Sequence, residues 1–269
     1  MKKYRMPFEY WEDDHTKLLR KTKAPEFLDP EYYLKAHFHL DKNGKGPYFL
    51  NKAGRKLLDV HGPFCGNYHD GEELCNSYSE DIYIVCPGPS LKDFNLKKLK
   101  NKFTIAVNSA GFLFKPTYWL MAESGYAKWL IEKKSCPIGV NIISTARVAV
   151  FLRKKEIESR KKKWDVWVIR WEEEKVVPIR TPAVSISNAL VTAWQMGSKR
   201  VFVLGLDLSR PGNQPYIGGV PYTREGAENP FDDQIRALKQ FQLPDFEIVN
   251  CSPYSKDILP FRYCSYDGI

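Results

Sequence analysis

Long apolar runs are missing from this sequence of 269 residues. No stretch reaches the roughly 18 to 20 consecutive apolar residues that a membrane-spanning helix needs. The basic residues at positions 1–5 are not followed by the apolar block of a signal peptide. We therefore expect no membrane span and a cytoplasmic, intracellular location.

Closely spaced cysteines are missing as well. The six cysteines include no C-x-x-C pair, and Cys86 and Cys251 stand at the ends of apolar runs, where buried free thiols are common. This pattern excludes a disulfide-stabilised miniprotein and gives no indication of a zinc site. It predicts a reducing compartment.

The composition is that of a folded protein with a basic surface. Hydrophobic residues make up 43% of the chain and aromatic residues 14%, which excludes a disordered tail and a collagen-like fibre. Lysine and arginine total 41 against 32 acidic residues, giving a net charge of +9. This excess favours a partner that carries phosphate or another negative charge.

The chain changes character near residue 79. Residues 1–78 are rich in Tyr, Phe, Pro, Gly and His, and they predict an irregular N-terminal extension wrapped on the main body. Residues 79–269 alternate short apolar runs with helical patterns, which predicts a Rossmann-like α/β domain with a mostly parallel sheet and crossover helices. The predicted strands are 82–86, 103–108, 118–122, 139–143, 166–171, 201–205 and 246–251. The predicted helices are 91–100, 125–133, 146–163, 184–196 and 230–241.

Two segments of this domain suit a phosphate-bearing ligand. In the first, an apolar strand enters the loop Pro87-Gly88-Pro89-Ser90, where backbone N–H groups and a helix N-terminus point to one place. A structural strand-to-helix turn explains this loop equally well. In the second, a helix begins near Ser185 and Ser187 and leads to a strand that ends at Gly205 and Asp207. Serines at a helix start are commonly simple caps.

Together these segments resemble a known superfamily. The G-P-S-L of residues 88–91, Asn108 after the second strand, and S-x-x-x-A followed by G-x-D ending at Asp207 are similar to the MptE-like superfamily (domain of unknown function 115) and to the related bacterial sialyltransferases that use CMP-sialic acid. The likeness covers residues 80–255. It implies a nucleotide at the ends of the strands.

The resemblance also implies roles for individual residues. Asp207 would lie at the rim beside the reacting centre, and a set of loop and helix residues would bind the nucleotide donor. The resemblance gives Gly88, Pro89, Ser90, Asn108 and Ser185 for this set and matches Tyr216 to a second tyrosine of the family, and the pattern of helix start and strand end adds Ser187 and Gly205.

Three positions depart from the sialyltransferase pattern. Asn229 stands where those enzymes have a catalytic histidine, Ser209 replaces a tyrosine, and Cys86 replaces the first loop glycine. Asp232 and Asp233, at the start of the last predicted helix, are candidate replacement bases, although acids there are commonly helix caps, and Glu225 and Glu228 in the loop before that helix are two further carboxylates. If the enzyme depends on Mg²⁺, Asp207 and Glu123 are the expected ligands.

Two further segments suggest contacts with an acceptor. The polar loop 208–229 is long enough to form a lid, and Tyr222 and Arg224 are its candidate contacts. The run 153–163 has seven cations and two acids and is followed by Trp164, Trp167 and Trp171. This run suits a nucleic-acid backbone with an unstacked base, or equally a solvated helix face. Its candidate contacts are Arg153, Lys154, Lys155, Arg160, Lys161, Lys162 and Lys163.

From these features we expect a glycosyltransferase that moves a sugar from a nucleotide sugar to an acceptor hydroxyl. The acceptor would be anionic, either a modified base in DNA, as in viral (phage) DNA modification, or a phosphorylated glycan. Two alternatives stay open. One is a diphosphokinase of the MptE-like kind, which uses ATP and Mg²⁺ on a hydroxymethyl group, and the other is a non-catalytic protein that binds nucleotide or nucleic acid.

Overall fold

The computed structural model describes residues 37–40, 47–50, 56–59, 67–122, 127, 139–159, 164–169, 185–208 and 231–269. The chain divides into two compact units, Met1–His61 and Gly62–Ile269. In the first unit, β1 (His37–Leu40), β2 (Pro47–Leu50) and β3 (Lys56–Asp59) form an antiparallel sheet in the order β1-β2-β3. This part of the predicted irregular extension is therefore regular.

A nine-stranded parallel sheet forms the centre of the second unit. Its strands follow the order β12-β11-β10-β5-β6-β7-β8-β9-β4, and every neighbouring pair is parallel. The bounds are β4 (Asn67–Asp70), β5 (Ile82–Val85), β6 (Phe103–Val107), β7 (Tyr118–Met121), β8 (Val140–Thr145), β9 (Trp164–Ile169), β10 (Arg200–Leu204), β11 (Glu247–Asn250) and β12 (Arg262–Tyr263). The predicted Rossmann-like fold is confirmed, and all seven predicted strands are present.

Both faces of the sheet are covered. Ile84 and Ile105 belong to a core cluster that includes Leu190 of the helix α2 (Ser185–Gln195) and Leu238 of the helix α3 (Asp232–Lys239). The intervening strand residues are also buried, and the helix α1 (Ala146–Ser159) packs on β8 and β9. Burial on both faces explains why the strands are apolar throughout instead of alternating. No helix of the described ranges is long and apolar enough to cross a membrane.

The structure corrects one predicted helix, and a second lies largely outside the described residues. The predicted helix 91–100 is two short 3-10 helices, Pro89–Asp93 and Leu96–Leu99, because the chain is extended at Phe94 and Asn95 and the Asn95 side chain accepts the Lys97 N–H, starting a new turn. The predicted helix 125–133 lies outside the described residues, except for Ala127, which is helical.

Strand β4 places the division between the units earlier than the predicted boundary at residues 78 and 79. It pairs with β9 along its whole length, and the Tyr68 hydroxyl donates to Glu156 Oε2 on α1 at 3.1 Å. The Trp164 N–H donates to the other oxygen of this fully buried carboxylate, also at 3.1 Å. Glu156 thus joins β4, α1 and β9.

We predict that Glu156→Ala lowers the free energy of unfolding by about 3 kcal/mol, because two buried donors lose their acceptor. Denaturant unfolding measures the change. The control is Glu247→Ala, which removes an exposed pair with Arg262 (3.1 Å) and should cost less than about 1 kcal/mol. Equal losses in the two variants would contradict this role for Glu156.

Candidate functional site

The order of strands changes direction between β5 and β10. From β5 the chain adds β6 to β9 on one side, and it then returns to add β10 to β12 on the other. In open α/β sheets, ligands bind outside the carboxyl ends of the strands at such a switch point. A ligand site is therefore expected at the loops after β5 and β10.

These two loops are in direct contact through their glycines. The Gly88 N–H donates to the Gly205 carbonyl at 2.9 Å, and Gly205 has a φ of +66°, which a side chain disfavours. A Cβ atom at Gly88 would overlap the Gly205 carbonyl oxygen and lie 2.6 Å from Asp207 Oδ2. Glycine is needed here for close packing of the two loops.

Beyond the glycines, Ser90 and Asp207 form a buried pair. The Ser90 N–H donates to Asp207 Oδ2 at 2.8 Å, and the Ser90 hydroxyl donates to Asp207 Oδ1 at 2.5 Å. Ser90 is 0% exposed and Asp207 is 2% exposed. Burial raises the pKa of the Asp207 carboxyl, while the two hydrogen bonds from Ser90 act in the opposite direction.

This pair changes the expected roles of both residues. A carboxylate now stands at the start of the 3-10 helix, where a ligand phosphate was predicted, so both Ser90 donors are already used. Asp207 is buried and does not lie at an exposed rim. Each of its oxygens accepts a hydrogen bond from Ser90, so a Mg²⁺ ion bound here would share both oxygens with Ser90.

Tyr266 extends this pair, although no sequence motif pointed to it. Its hydroxyl lies 2.8 Å from Ser90 Oγ and accepts the Gly205 N–H at 3.3 Å. Burial is the main cause that raises the pKa of Tyr266, so the phenol stays protonated at neutral pH. No local pattern marks Tyr266, because it stands in a polar segment 176 residues from Ser90.

A second cluster lies beside the first and consists of Asn108, Ser185 and Ser187, called here the amide–hydroxyl cluster. Asn108 follows β6 with a φ of +54°, and its carbonyl accepts the Trp119 indole N–H at 2.6 Å. Its side-chain Nδ2 donates to Ser185 Oγ at 3.3 Å, which places the N-terminus of α2 at the carboxyl edge of the sheet.

Two atoms of the amide–hydroxyl cluster are buried without a hydrogen-bond partner. They are Asn108 Oδ1 and the hydroxyl of the fully buried Ser187. Buried polar atoms are nearly always paired, so each such atom needs an explanation. Both lie where the positive end of the α2 dipole meets the sheet edge, which suits an anionic ligand with hydroxyl or amino groups.

Three residues that were not predicted to belong to the site, Asn250, Ser252 and Ser255, hold the loop after β10 in place. The Leu206 N–H donates to Ser252 Oγ at 2.5 Å, and the Ser255 hydroxyl donates to the Leu206 carbonyl at 2.6 Å. Asn250 Nδ2 donates to Ser255 Oγ at 3.1 Å. This support from the end of β11 fixes the backbone just before Asp207.

The other predicted site residues are only partly described. Asp232 is exposed at the first residue of α3, and α3 begins at the carboxyl edge because it leads into the parallel strand β11. Asp233 lies in α3, but its side chain is outside the described part. Pro89 is the first residue of the 3-10 helix after Gly88. Glu123, Ser209, Tyr216, Tyr222, Arg224 and Asn229 lie outside the described residues.

Two cations of the basic run, Arg153 and Lys155, have described side chains, and both are less exposed than predicted. Arg153 is 4% exposed, which removes it from any basic surface available to a nucleic acid. Lys155 is half-buried, with its Nζ 5.7 Å from the centre of the Phe151 ring. Lys154 lies in α1. Arg160, Lys161, Lys162 and Lys163 lie outside the described residues.

The tryptophans after the basic run pack within the protein. Trp164 is buried, and Trp167 stacks on His69 with ring centres 4.6 Å apart and meets the edge of Tyr118 at 5.1 Å. Trp171 lies outside the described residues. This packing supports a structural role for Trp164 and Trp167 better than a role in stacking on a nucleic-acid base.

Metal ligands do not gather in the described part of the chain, where no group of three or more His, Cys, Asp or Glu side chains could hold an ion. Cys86 and Cys251 are buried free thiols, as predicted. Burial raises the pKa of the Cys251 thiol to about 12.

The raised pKa of Asp207 predicts how stability depends on pH. Because the folded state favours the protonated carboxyl, its contribution to the free energy of unfolding is complete below about pH 4 and is lost as pH rises through the folded pKa. The wild-type protein should therefore lose stability relative to Asp207→Asn between pH 3 and pH 7. Asp257→Asn, at an exposed aspartate, is the control and should show no such trend. A wild-type to Asp207→Asn difference that is constant with pH would contradict the prediction.

Comparisons with family models, with curated proteins and with solved structures found no match. The resemblance to the MptE-like superfamily therefore stays a prediction.

Proposed function

We propose that this protein is a glycosyltransferase that moves a sugar from a nucleotide-sugar donor to an acceptor hydroxyl. The observation that supports this most directly is the amide–hydroxyl cluster, which stands next to the switch point with two buried polar atoms unpaired. A nucleotide offers both a phosphate for the α2 N-terminus and hydroxyl or amino donors for Asn108 Oδ1. The donor-binding role predicted for Asn108, Ser185 and Ser187 is kept.

The donor phosphates are assigned to the start of α2 and not to the loop after β5. Asp207 already accepts both Ser90 donors, and a phosphate placed beside that carboxylate would be repelled. The α2 dipole, with the Ser185 and Ser187 hydroxyls, would stabilise the negative charge that develops on the leaving phosphate. Gly88 and Gly205 would then shape the wall of the donor site without binding the phosphate.

The transfer needs a base and an acceptor. In the proposed reaction Asp232 takes the proton of the acceptor hydroxyl, the acceptor oxygen bonds to the anomeric carbon, and the bond from that carbon to the donor phosphate breaks. The nucleotide leaves with the bonding electron pair. An acceptor that is itself anionic, such as a modified base in DNA or a phosphorylated glycan, would suit the net charge of +9.

The first test is a thermal-shift screen against CMP, UDP, GDP, ADP and ATP, each with and without Mg²⁺. A ligand that binds only the folded protein raises the unfolding temperature. We expect CMP, UDP or GDP to raise it without Mg²⁺. A shift with ATP and Mg²⁺ alone would replace sugar transfer by the diphosphokinase, and no shift with any nucleotide would favour the non-catalytic binding protein.

The second test places the donor at the amide–hydroxyl cluster. Asn108→Asp keeps the shape of the side chain and tolerance of positive φ, but it removes the donor to Ser185 and adds a charge that repels phosphate. Nucleotide affinity should fall at least about tenfold, equivalent to about 1.4 kcal/mol.

Asn101→Asp is the matched control for this substitution. Asn101 also has a positive φ, of 64°, but it lies just before β6, at the opposite end of the same strand from Asn108. Its substitution should leave nucleotide affinity unchanged. Equal effects of the two substitutions would show that Asn108 has no specific part in binding.

A further inference from the structure

The segment 262–269 adds a short edge strand to the sheet and then turns back over the loop after β5. Its strand β12 pairs with β11, and the Cys264 N–H continues the pairing by donating to the Asn250 carbonyl at 3.0 Å. All eight of its residues are exposed or half-buried, Tyr266 among the half-buried ones, and Tyr263 is 40% exposed. Tyr266 is the one that reaches between the ends of β5 and β10.

We infer that Tyr266 is a positioning residue of the proposed donor site, where its hydroxyl fixes Ser90 and so the loop that forms the wall beside the amide–hydroxyl cluster. This inference rests on the proposed function for its link to the donor. The other half of the inference, that the Tyr266 hydroxyl fixes the Ser90–Asp207 pair by hydrogen bonding to Ser90, depends only on the geometry.

The hydrogen bonds around Tyr266 can run in only one direction. While Asp207 is ionised, Ser90 donates its single hydroxyl hydrogen to that carboxylate, so Tyr266 must donate to Ser90 Oγ. The lone pairs of the phenol then accept the Gly205 N–H. The order of donation is Gly205 N–H to Tyr266, Tyr266 to Ser90, and Ser90 to Asp207. A hydroxyl that accepts a hydrogen bond becomes a stronger donor, so Tyr266 strengthens the bond to Asp207.

Other contacts hold the segment in place without the hydroxyl. The Tyr266 ring packs against the Phe94 ring with centres 5.0 Å apart. Lys98 Nζ donates to the carbonyls of Tyr266 and Ile269, at 3.0 Å and 3.1 Å. Tyr266→Phe keeps these contacts, so it tests the hydroxyl and not the docking of the segment.

The first measurement compares nucleotide affinity in Tyr266→Phe and Tyr263→Phe, using CMP, UDP and GDP as probes. The two tyrosines lie three residues apart and receive the same change. We expect affinity to fall about threefold to tenfold in Tyr266→Phe and to stay unchanged in Tyr263→Phe. Unchanged affinity in Tyr266→Phe would overturn the inference, and so would tighter binding, which would make Tyr266 an obstacle to the donor.

The second measurement separates positioning from a general loss of stability. Tyr266→Phe should lower the free energy of unfolding, and this decrease should become larger between pH 3 and pH 7. The reason is that the hydrogen bond from Ser90 to Asp207, which Tyr266 strengthens, contributes most when Asp207 is ionised. The same substitution in an Asp207→Asn background should cause a loss that is constant with pH. Among the described residues, the other titratable groups that act on Asp207 and Tyr266 are Cys86 and Cys251, whose thiols stay protonated in this range because burial raises their pKa, and Asp93.

The two measurements fail in different ways. If no nucleotide binds the wild-type protein, the proposed function fails, while growth of the loss with pH would still support the hold of Tyr266 on the pair. Suppose instead that nucleotides bind the wild-type protein, but Tyr266→Phe has unchanged nucleotide affinity and loses the same free energy of unfolding at every pH. The proposed function then stands, and the role inferred for Tyr266 is wrong.

Discussion

The buried hydrogen bonds between Ser90 and Asp207 join the two halves of the sheet. The residues are 117 positions apart, and they meet because β5 and β10 are neighbours at the switch point. The glycines before them let the two loops touch, and Tyr266 from the end of the chain completes the arrangement. Without this junction the backbone conformation of the loop after β5 would not be fixed, and the buried N–H and hydroxyl of Ser90 would lack acceptors.

The junction also bears on where the proposed nucleotide donor would bind. A strand, a tight loop and a helix start commonly hold a phosphate, but here a side-chain carboxylate takes the hydrogen bonds that the phosphate would need. The neighbouring amide–hydroxyl cluster has the opposite character, since its polar atoms are buried and incompletely paired. The hydrogen-bonding groups of the Ser90–Asp207 pair are used within the protein, whereas the amide–hydroxyl cluster has two polar atoms that could bind a ligand.

The parts of the fold that could be predicted are those that a local sequence pattern marks. Apolar runs mark the seven inner strands, and Gly88, Ser90 and Asp207 are recognisable from the turns that they occupy. The sequence does not predict β4 or β12, which are short and polar, or the burial of Arg153 within a run of lysines. Tyr266 and the partners of Asp207 could not be found either, because a contact between residues far apart in the chain leaves no local pattern.

The pairing of β5 with β10 has a consequence for how the protein is made. During synthesis β1 to β9 all emerge before β10, so the edge of β5 that later receives β10 stays unpaired while more than 100 further residues are added. An unpaired apolar strand edge readily joins another chain. We expect the nascent protein to need protection by a chaperone until β10 has emerged, and incomplete chains to aggregate.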